Sequence, residues 1–418
     1  MQRNVSVNLG NLVLSLSDAM DLASPLLTQH QQRTAFAVWE MCRIAGLPEE
    51  RTERCFIAAL LHDIGAFSLE EKISIRRFEI ESPEKHCIRG GLLLEKVPLL
   101  REASKIVRFH HREWKDRDGP VETPLVLEAQ MLFIADYLER LTNRDRYILH
   151  QNKDILSEIR SLSGSSFAPA VVDLLFTASA REEFWLDLVS PRLYSLLLND
   201  GPFRKVEIDF ATISLIAELF RNIIDFRSRF TATHSSGVAA AASMLSRIFG
   251  LTEKETGLME VAGNLHDIGK LAIPNDILDK PGKLTKEEFA VIRSHTYYTY
   301  SVINTIGGLQ QIAEWAAYHH EKLDGSGYPF HCTYDELGTG SRIMMVADLF
   351  TALAEDRPYR AGMSRDGIIQ IIKQLADRKL LDSRIVNILF ENFDEISSHV
   401  SEKQAVVKEF YENQFAFL

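Results

Sequence analysis

Cys55-Phe-Ile-Ala-Ala-Leu-Leu-His-Asp-Ile-Gly65 and Leu258-Met-Glu-Val-Ala-Gly-Asn-Leu-His-Asp-Ile-Gly-Lys270 set the same His-Asp pair at the end of an apolar helical run, 266−62 = 204 residues apart. Each pair sits within an ordered series. The first reads His30, His62-Asp63, His86, His110-His111, Asp136, and the second His234, His266-Asp267, His295, His319-His320, Asp348, together taking ten of the thirteen histidines. Two intervals are identical: 62−30 = 266−234 = 32 and 110−86 = 319−295 = 24. Two differ, 86−62 = 24 against 295−266 = 29 and 136−111 = 25 against 348−320 = 28, as loop insertions between fixed helices produce. Similarity continues past the last Asp, where Ala170-Val-Val-Asp-Leu-Leu-Phe176 matches Arg384-Ile-Val-Asn-Ile-Leu-Phe390 in its apolar positions. The chain reads as a tandem duplication.

At 418 residues it is long enough for two domains, each burying its own core. The apolar fraction of 46% and charged fraction of 25% are globular values, with no segment biased toward disorder. A net charge of −11 argues against a broad basic face for long nucleic acid, so an anionic substrate must be met locally by metal ions and a few placed Lys and Arg. The apolar stretch Leu12-Val-Leu-Ser-Leu16 is too short and lacks a basic flank, so no membrane span or secretion signal is expected. Cys42, Cys55, Cys87 and Cys332 form no CxxC pair and read as reduced buried thiols of a cytoplasmic protein.

Apolar residues recur at three- and four-residue intervals over Thr34 to Ala45, Arg51 to Leu61, Phe210 to Asp225 and Gly237 to Phe249. Strand-like alternation is scarce, so two all-α domains are expected, residues 1–200 and 205–418, with the break at Asn199-Asp-Gly-Pro202. Ala180 to Leu197 is expected to form a helix packing across the junction.

Imidazole and carboxylate ligands suit Fe, Mn, Zn or Ni, and seven such groups exceed the needs of one tetrahedral ion. Two divalent ions are therefore expected: one on His234, His266 and Asp348, the other on His295, His319 and His320, with Asp267 shared. Two ions roughly 3.5–4 Å apart activate water and clamp a phosphoryl oxygen, which suits hydrolysis of phosphate esters.

The strings His266-Asp-Ile-Gly-Lys270, Lys280-Pro-Gly-Lys283, His319-His-Glu-Lys-Leu-Asp-Gly-Ser-Gly-Tyr-Pro329 and Asp356-Arg-Pro-Tyr-Arg360 make the second half, roughly residues 205 to 400, resemble the HD-GYP cyclic dinucleotide phosphodiesterases of the HD phosphohydrolase superfamily. That resemblance implies Fe or Mn foremost, with Zn, Ni or Mg as alternatives, and cyclic di-GMP or 3′,3′-cyclic GMP-AMP opened to a linear 5′-phosphorylated dinucleotide. By the same resemblance Asp267 and Lys270 are catalytic, Lys270 meeting an oxygen of the scissile phosphate. Arg357 and Arg360 would steer a guanine or the second phosphate. Gly325, Gly327, Tyr328 and Pro329 would shape a loop beside the metals, with Gly325 and Tyr328 in contact with substrate. Three positions depart from the family pattern: Phe230 stands where some relatives have a carboxylate for a third ion, Phe330-His-Cys-Thr333 follows the loop, and Thr351 replaces a further Asp.

The first half resembles a generic HD domain. It keeps all seven candidate ligands for two further ions but has Ala66 where the second half has Lys270, and Arg112-Glu-Trp-Lys-Asp-Arg-Asp-Gly119 in place of the GYP string. Lys115, Arg112 or Arg117 are candidates to replace the missing Lys. Either it dephosphorylates the linear product, or it is a retired domain serving dimerisation or regulation. The competing functions for the whole chain are a nucleotide phosphomonoesterase or triphosphohydrolase, and a receptor that binds the cyclic dinucleotide without cleaving it. A homodimer is compatible with all of them.

Overall fold

The computed structural model describes residues 7–414, apart from 23, 25, 78, 80–82, 118–119, 122, 204–205, 228–232 and 356–360. Among them the chain is all-α, with paired two-residue strands Val7–Asn8 and Glu207–Ile208 as its sheet. It divides into two compact units, Asn8–Ile208 and Asp209–Leu418, the second also taking Met1–Val7.

The first unit comprises α1 (Leu9–Asp21), α2 (His30–Ile44), α3 (Glu49–Leu60), α4 (Leu69–Arg76), α5 (Glu84–Glu95), α6 (Arg101–Arg108), α7 (Pro124–Leu141), α8 (Asn152–Ser161), α9 (Pro169–Ala178), α10 (Glu182–Leu188) and α11 (Leu193–Asp200). It runs past the Asn199-to-Pro202 break because Leu9 N–H donates to the Val206 carbonyl at 3.1 Å and Phe203 packs on Phe56. The helix expected over Ala180 to Leu197 is two helices. Ser190 precedes Pro191, whose ring disfavours a helical Ser190, and the chain turns there. Both pieces pack on α2 of their own unit.

The second unit comprises α12 (Phe210–Arg227), α13 (His234–Phe249), α14 (Glu253–Leu265), α15 (Asn275–Leu278), α16 (Lys286–Ile306), α17 (Gln310–Ala317), α18 (Thr339–Ala354), α19 (Arg365–Asp377), α20 (Ser383–Glu391) and α21 (Phe393–Gln414). Its central helices start cleanly. Thr252 and Glu255 form a reciprocal capping box on α14, and Thr285 and Glu288 another on α16, each side-chain cap worth about 1 kcal/mol. Packing repeats between the units: α2 on α3, α5 on α6 and α2 on α7 in the first, α13 on α14, α16 on α17 and α13 on α18 in the second. Helices α3 and α14 bury Phe56, Ala58, Ala59 and Leu60, and Met259, Val261, Ala262 and Leu265, so the His-Asp pair that follows is rigidly held.

One contact brings that pair to the third His. After His-Asp the chain makes a tight 3₁₀ turn, His62–Gly65 or Ile268–Ala272, and its glycine lies directly on the next long helix. A Cβ on Gly269 would fall 1.9 Å from the His295 carbonyl oxygen, and one on Gly65 2.1 Å from that of His86. Thr299 closes the same contact in the second unit, donating to the His266 carbonyl at 2.9 Å and accepting from Gly269 N–H at 3.0 Å. Gly269→Ala should therefore destabilise the second unit by about 2–3 kcal/mol, since backbone cannot yield as a side chain does. Urea unfolding checks this, and a wild-type midpoint for that unit's transition would contradict it.

Candidate metal centres

In both units the series converges. His234 opens α13, His266 caps α14, His295 lies in α16, His319 and His320 in the 3₁₀ turn after α17, and Asp348 in α18. His234, His266 and Asp348 bring their donor atoms within 4.8 Å of one another, and so do His295, His319 and His320. Asp267 lies between the groups. Its Oδ2 is 3.1 Å from His266 Nε2, while Oδ1 is 3.4 Å from His295 Nε2 and 3.9 Å from His319 Nε2. Asp267 is 3% exposed in its side chain and His320 34%, so the cluster is reached from the His320 side.

The ring orientations have a common cause. Nδ1–H of His266, His295 and His319 donates to the carbonyls of Gly263, Ile292 and Ala316 at 2.8, 2.6 and 2.7 Å, each three residues earlier. That leaves Nε2 and its lone pair facing the cluster, the tautomer a cation requires. Burial, with the positive charge of His320 and Lys270 nearby and against the pull of Asp267, holds His295 down at about 3, so its imidazole is neutral near pH 7. His234 differs. Burial opposes its protonation, but the Glu355 and Asp348 carboxylates outweigh that and hold it up at about 10. Its Nδ1 is 2.9 Å from Glu355 Oε2, and Gln404 bonds the other Glu355 oxygen.

Lys270 Nζ lies 2.6 Å from Asp267 Oδ2 and is 23% exposed. It lines a cavity of about 390 Å³ together with His234, Asp267, His295, His320 and Tyr328. The Tyr328 ring leans on His320 with centroids 5.0 Å apart, and the Arg293 guanidinium lies 4.8 Å from the Tyr328 centroid. Gly325 has φ +76°, and a Cβ on Gly327 would lie 2.3 Å from Glu321 Cα, so both glycines are needed where the loop turns back on itself. Gly325 shapes this loop but does not line the cavity. Arg357, Arg360 and Phe230 lie outside the described residues.

The first unit repeats the arrangement. His30, His62 and Asp63 converge, as do His86, His110 and His111, and Asp136 Oδ1 is 3.5 Å from His30 Nε2. Asp63 reaches both groups, with Oδ2 3.2 Å from His30 Nε2 and Oδ1 3.5 Å from His86 Nε2. His62 and His110 bond the Ala59 and Val107 carbonyls at 2.8 and 2.6 Å. Two features are its own: Arg140 stands 3.3 Å from Asp136 Oδ2 where the second unit has Ala352, and Cys87 joins the cluster where the second has Thr296. Lys115 pairs with Glu113 on the surface and Arg117 donates to the Phe109 and Arg112 carbonyls. Of the three expected replacements for Lys270, Arg112 lines the first unit's cavity of about 850 Å³ and the other two do not.

Sequence reasoning passed over several of these residues. Glu139, three residues after Asp136, faces His30 Nδ1 at 2.6 Å. At the matching place stands Thr351, whose hydroxyl bonds back to the Ala347 carbonyl at 2.9 Å, and the carboxylate comes instead from Glu355, one turn on. Because the donor moves between positions, spacing could not reveal it. Glu321 is 2% exposed and accepts from Phe330 N–H at 2.7 Å and Cys332 N–H at 3.1 Å, pinning the loop that carries Tyr328; its place directly after the His doublet was the available signal.

The HD domain family pattern matches residues 27–141, and a second HD domain pattern matches residues 218–385. The chain belongs to the HD domain family. Its second half, with the string His319 to Pro329, is of the HD-GYP type. Over 397 residues it is 29% identical to a protein named 3′3′-cGAMP-specific phosphodiesterase 1 of Vibrio cholerae, covering 93% of this HD protein and 92% of the relative. Over 295 residues it is 34% identical to 3′3′-cGAMP-specific phosphodiesterase 3 of the same organism, covering 70% and 63%. It is 35% identical over 168 residues to the cyclic di-GMP phosphodiesterase response regulator RpfG of Xanthomonas campestris, covering 40% and 44%. The HD chain thus spans less than two thirds of the last two relatives. A crystal structure of a cyclic GMP-AMP-specific phosphodiesterase of Vibrio cholerae, V-cGAP3, shares its fold with a TM-score of 0.63 and 22% identity over 95% of this chain and 98% of that one.

The Glu355 contact predicts a measurable effect on the second centre. Glu355→Ala should weaken divalent-cation affinity about 10–100-fold by freeing the His234 ring, as loss of a hydrogen-bonded carboxylate behind a ligand does. Titration calorimetry would show it, and unchanged affinity would mean that packing alone orients His234.

Proposed function

We propose that the chain is a metal-dependent phosphodiesterase whose second unit opens a cyclic dinucleotide, cyclic di-GMP or 3′,3′-cyclic GMP-AMP, to a linear 5′-phosphorylated dinucleotide. The observation that carries this reading is the Asp267 carboxylate, one oxygen toward His266 and the other toward His295 and His319, beside a cavity that Lys270 also lines. The naming of the relatives as cyclic dinucleotide phosphodiesterases supports it.

The donor set fits two divalent ions, Fe or Mn foremost and Zn, Ni or Mg as alternatives: His234, His266 and Asp348 would hold one, His295, His319 and His320 the other, and Asp267 both. When bound, such ions acidify water and neutralise charge on a phosphoryl oxygen. The protein's own groups do the rest. Backbone carbonyls fix the imidazoles so that no reorganisation accompanies the reaction. Lys270, already within 2.6 Å of Asp267, is placed to balance charge growing on a non-bridging oxygen of the scissile phosphate. Tyr328, held by His320, Arg293 and the Glu321-pinned loop, offers a ring face to a nucleobase. Arg357 and Arg360 remain the proposed partners of a guanine or second phosphate.

For the first unit we propose a second metal centre on His30, His62, Asp63, His86, His110, His111 and Asp136, acting on the linear product. Arg108, Arg112 and Arg140 line its cavity together with Phe109, Phe133 and Phe167, a combination suited to a phosphorylated nucleotide. No helix among the described residues is long and apolar enough to cross a membrane, and the free thiols support action in the cytoplasm.

Incubating metal-loaded protein with a panel of cyclic and linear nucleotides, then separating the products, should show a cyclic dinucleotide converted to its linear 5′-phosphorylated form. Cleavage of mononucleotides alone, or binding without turnover, would overturn the reading. Asp267→Ala should abolish turnover. Lys270→Ala should lower kcat by about 10²–10³ with metal content unchanged, and parallel loss of metal would show that Lys270 serves the integrity of the site instead.

A further inference from the structure

Helix α5 delivers two consecutive residues, His86 and Cys87, to one point. Cys87 Sγ lies 3.7 Å from His86 Nε2 and 4.0 Å from His110 Nε2, and those two nitrogens are 3.3 Å apart. His111 has a buried Nε2 with no hydrogen-bond partner, 3.8 Å from Asp136 Oδ2, and one donor atom from each of the four residues falls within 4.8 Å of the others. A tetrahedral zinc ion, with bonds of about 2.0–2.1 Å to nitrogen and about 2.3 Å to sulfur, separates two nitrogens by about 3.3 Å and sulfur from nitrogen by about 3.6 Å. The observed spacings are close to those values. Sγ is 3.4 Å from the Pro83 carbonyl, a weak hydrogen bond that a cation would replace. At the matching position of the second unit Thr296 turns its hydroxyl to the Arg293 carbonyl at 2.9 Å, away from the cluster.

We propose that Cys87 is a metal ligand, completing with His86, His110 and His111 a three-nitrogen, one-sulfur shell in the first unit. This inference rests on the reading of that unit as a metal centre. Binding releases the thiol proton to solvent as the sulfur–metal bond forms, with no change of oxidation state. Two consequences follow from the chemistry. Thiolate favours a borderline-soft ion such as Zn(II), whereas the nitrogen and oxygen donors of the second unit also accept harder ions, so the two halves differ in metal preference. Four protein donors also close the shell before Asp63 is counted, so this ion lacks the open position that a water-activating ion keeps. Chemistry in the first unit then falls to the ion on His30, His62 and Asp136.

The test uses the full chain stripped of metal and reloaded with Co(II). A near-ultraviolet sulfur-to-cobalt charge-transfer band is expected, lost in Cys87→Thr, which installs the second unit's residue, and retained in Cys332→Ser; Cys42 and Cys55 hydrogen-bond each other in the core. X-ray absorption of the zinc-loaded wild type and Cys332→Ser proteins, which needs no Cys87 variant to fold, should show a sulfur neighbour at about 2.3 Å. Cobalt bound by the first unit, counted against Asp63→Ala, with no such band and no sulfur neighbour overturns sulfur ligation alone. A band that survives in Cys87→Thr does the same. Absence of cobalt from the first unit overturns both this inference and the reading beneath it.

Discussion

Five imidazoles and two carboxylates facing one another in a buried space are unfavourable unless something positive lies among them. Removing a carboxylate such as Asp267 from water costs several kcal/mol, and the compensation comes from Lys270 and the surrounding rings. Those rings are not free to turn outward, since backbone carbonyls hold their Nδ1 protons and point Nε2 inward. Buried acceptors and ring nitrogens without hydrogen-bond partners remain in both units: His266 Nε2 in one, His111 Nε2, Asp63 Oδ1 and Asp136 Oδ1 in the other. Divalent cations bound in each unit would satisfy them, and the helices α3 and α14, the 3₁₀ turns and the glycine contacts serve to hold the donors where such ions would bind.

Duplication has kept that core and changed its surroundings. Asp136 shares its charge with Arg140, whereas Ala352 stands at the matching place in the second unit and lines its cavity. Ala66 stands where the second unit has Lys270, and Cys87 where it has Thr296. The carboxylate behind the first His has shifted by a helical turn, from the position of Glu139 to that of Glu355, without losing the contact. Ligand geometry is thus more tightly constrained than the identity of the residues that orient it.

Fold class and the convergence of the repeated series were legible in the sequence because both rest on periodicity and spacing: 3.6-residue amphipathic runs, and intervals of 32 and 24 residues repeated in order. What escaped depends on contacts distant in sequence or on small local breaks. Pro191 divides a stretch whose apolar pattern looks continuous, and Glu355, Glu321 and Thr299 act through partners that composition does not reveal. Cys87 read as a buried thiol, which it is; that His110 lies beside it becomes visible only when α5 and the turn after α6 are brought together.

Two cations would gather in the second unit around one shared carboxylate, that of Asp267. Anomalous diffraction from crystals of the full chain grown with Mn(II) tests it most directly. Two peaks are predicted, one among His234, His266 and Asp348 and one among His295, His319 and His320, with Asp267 touching both; a well-ordered cluster lacking any peak, or a lone ion remote from Asp267, would contradict the account.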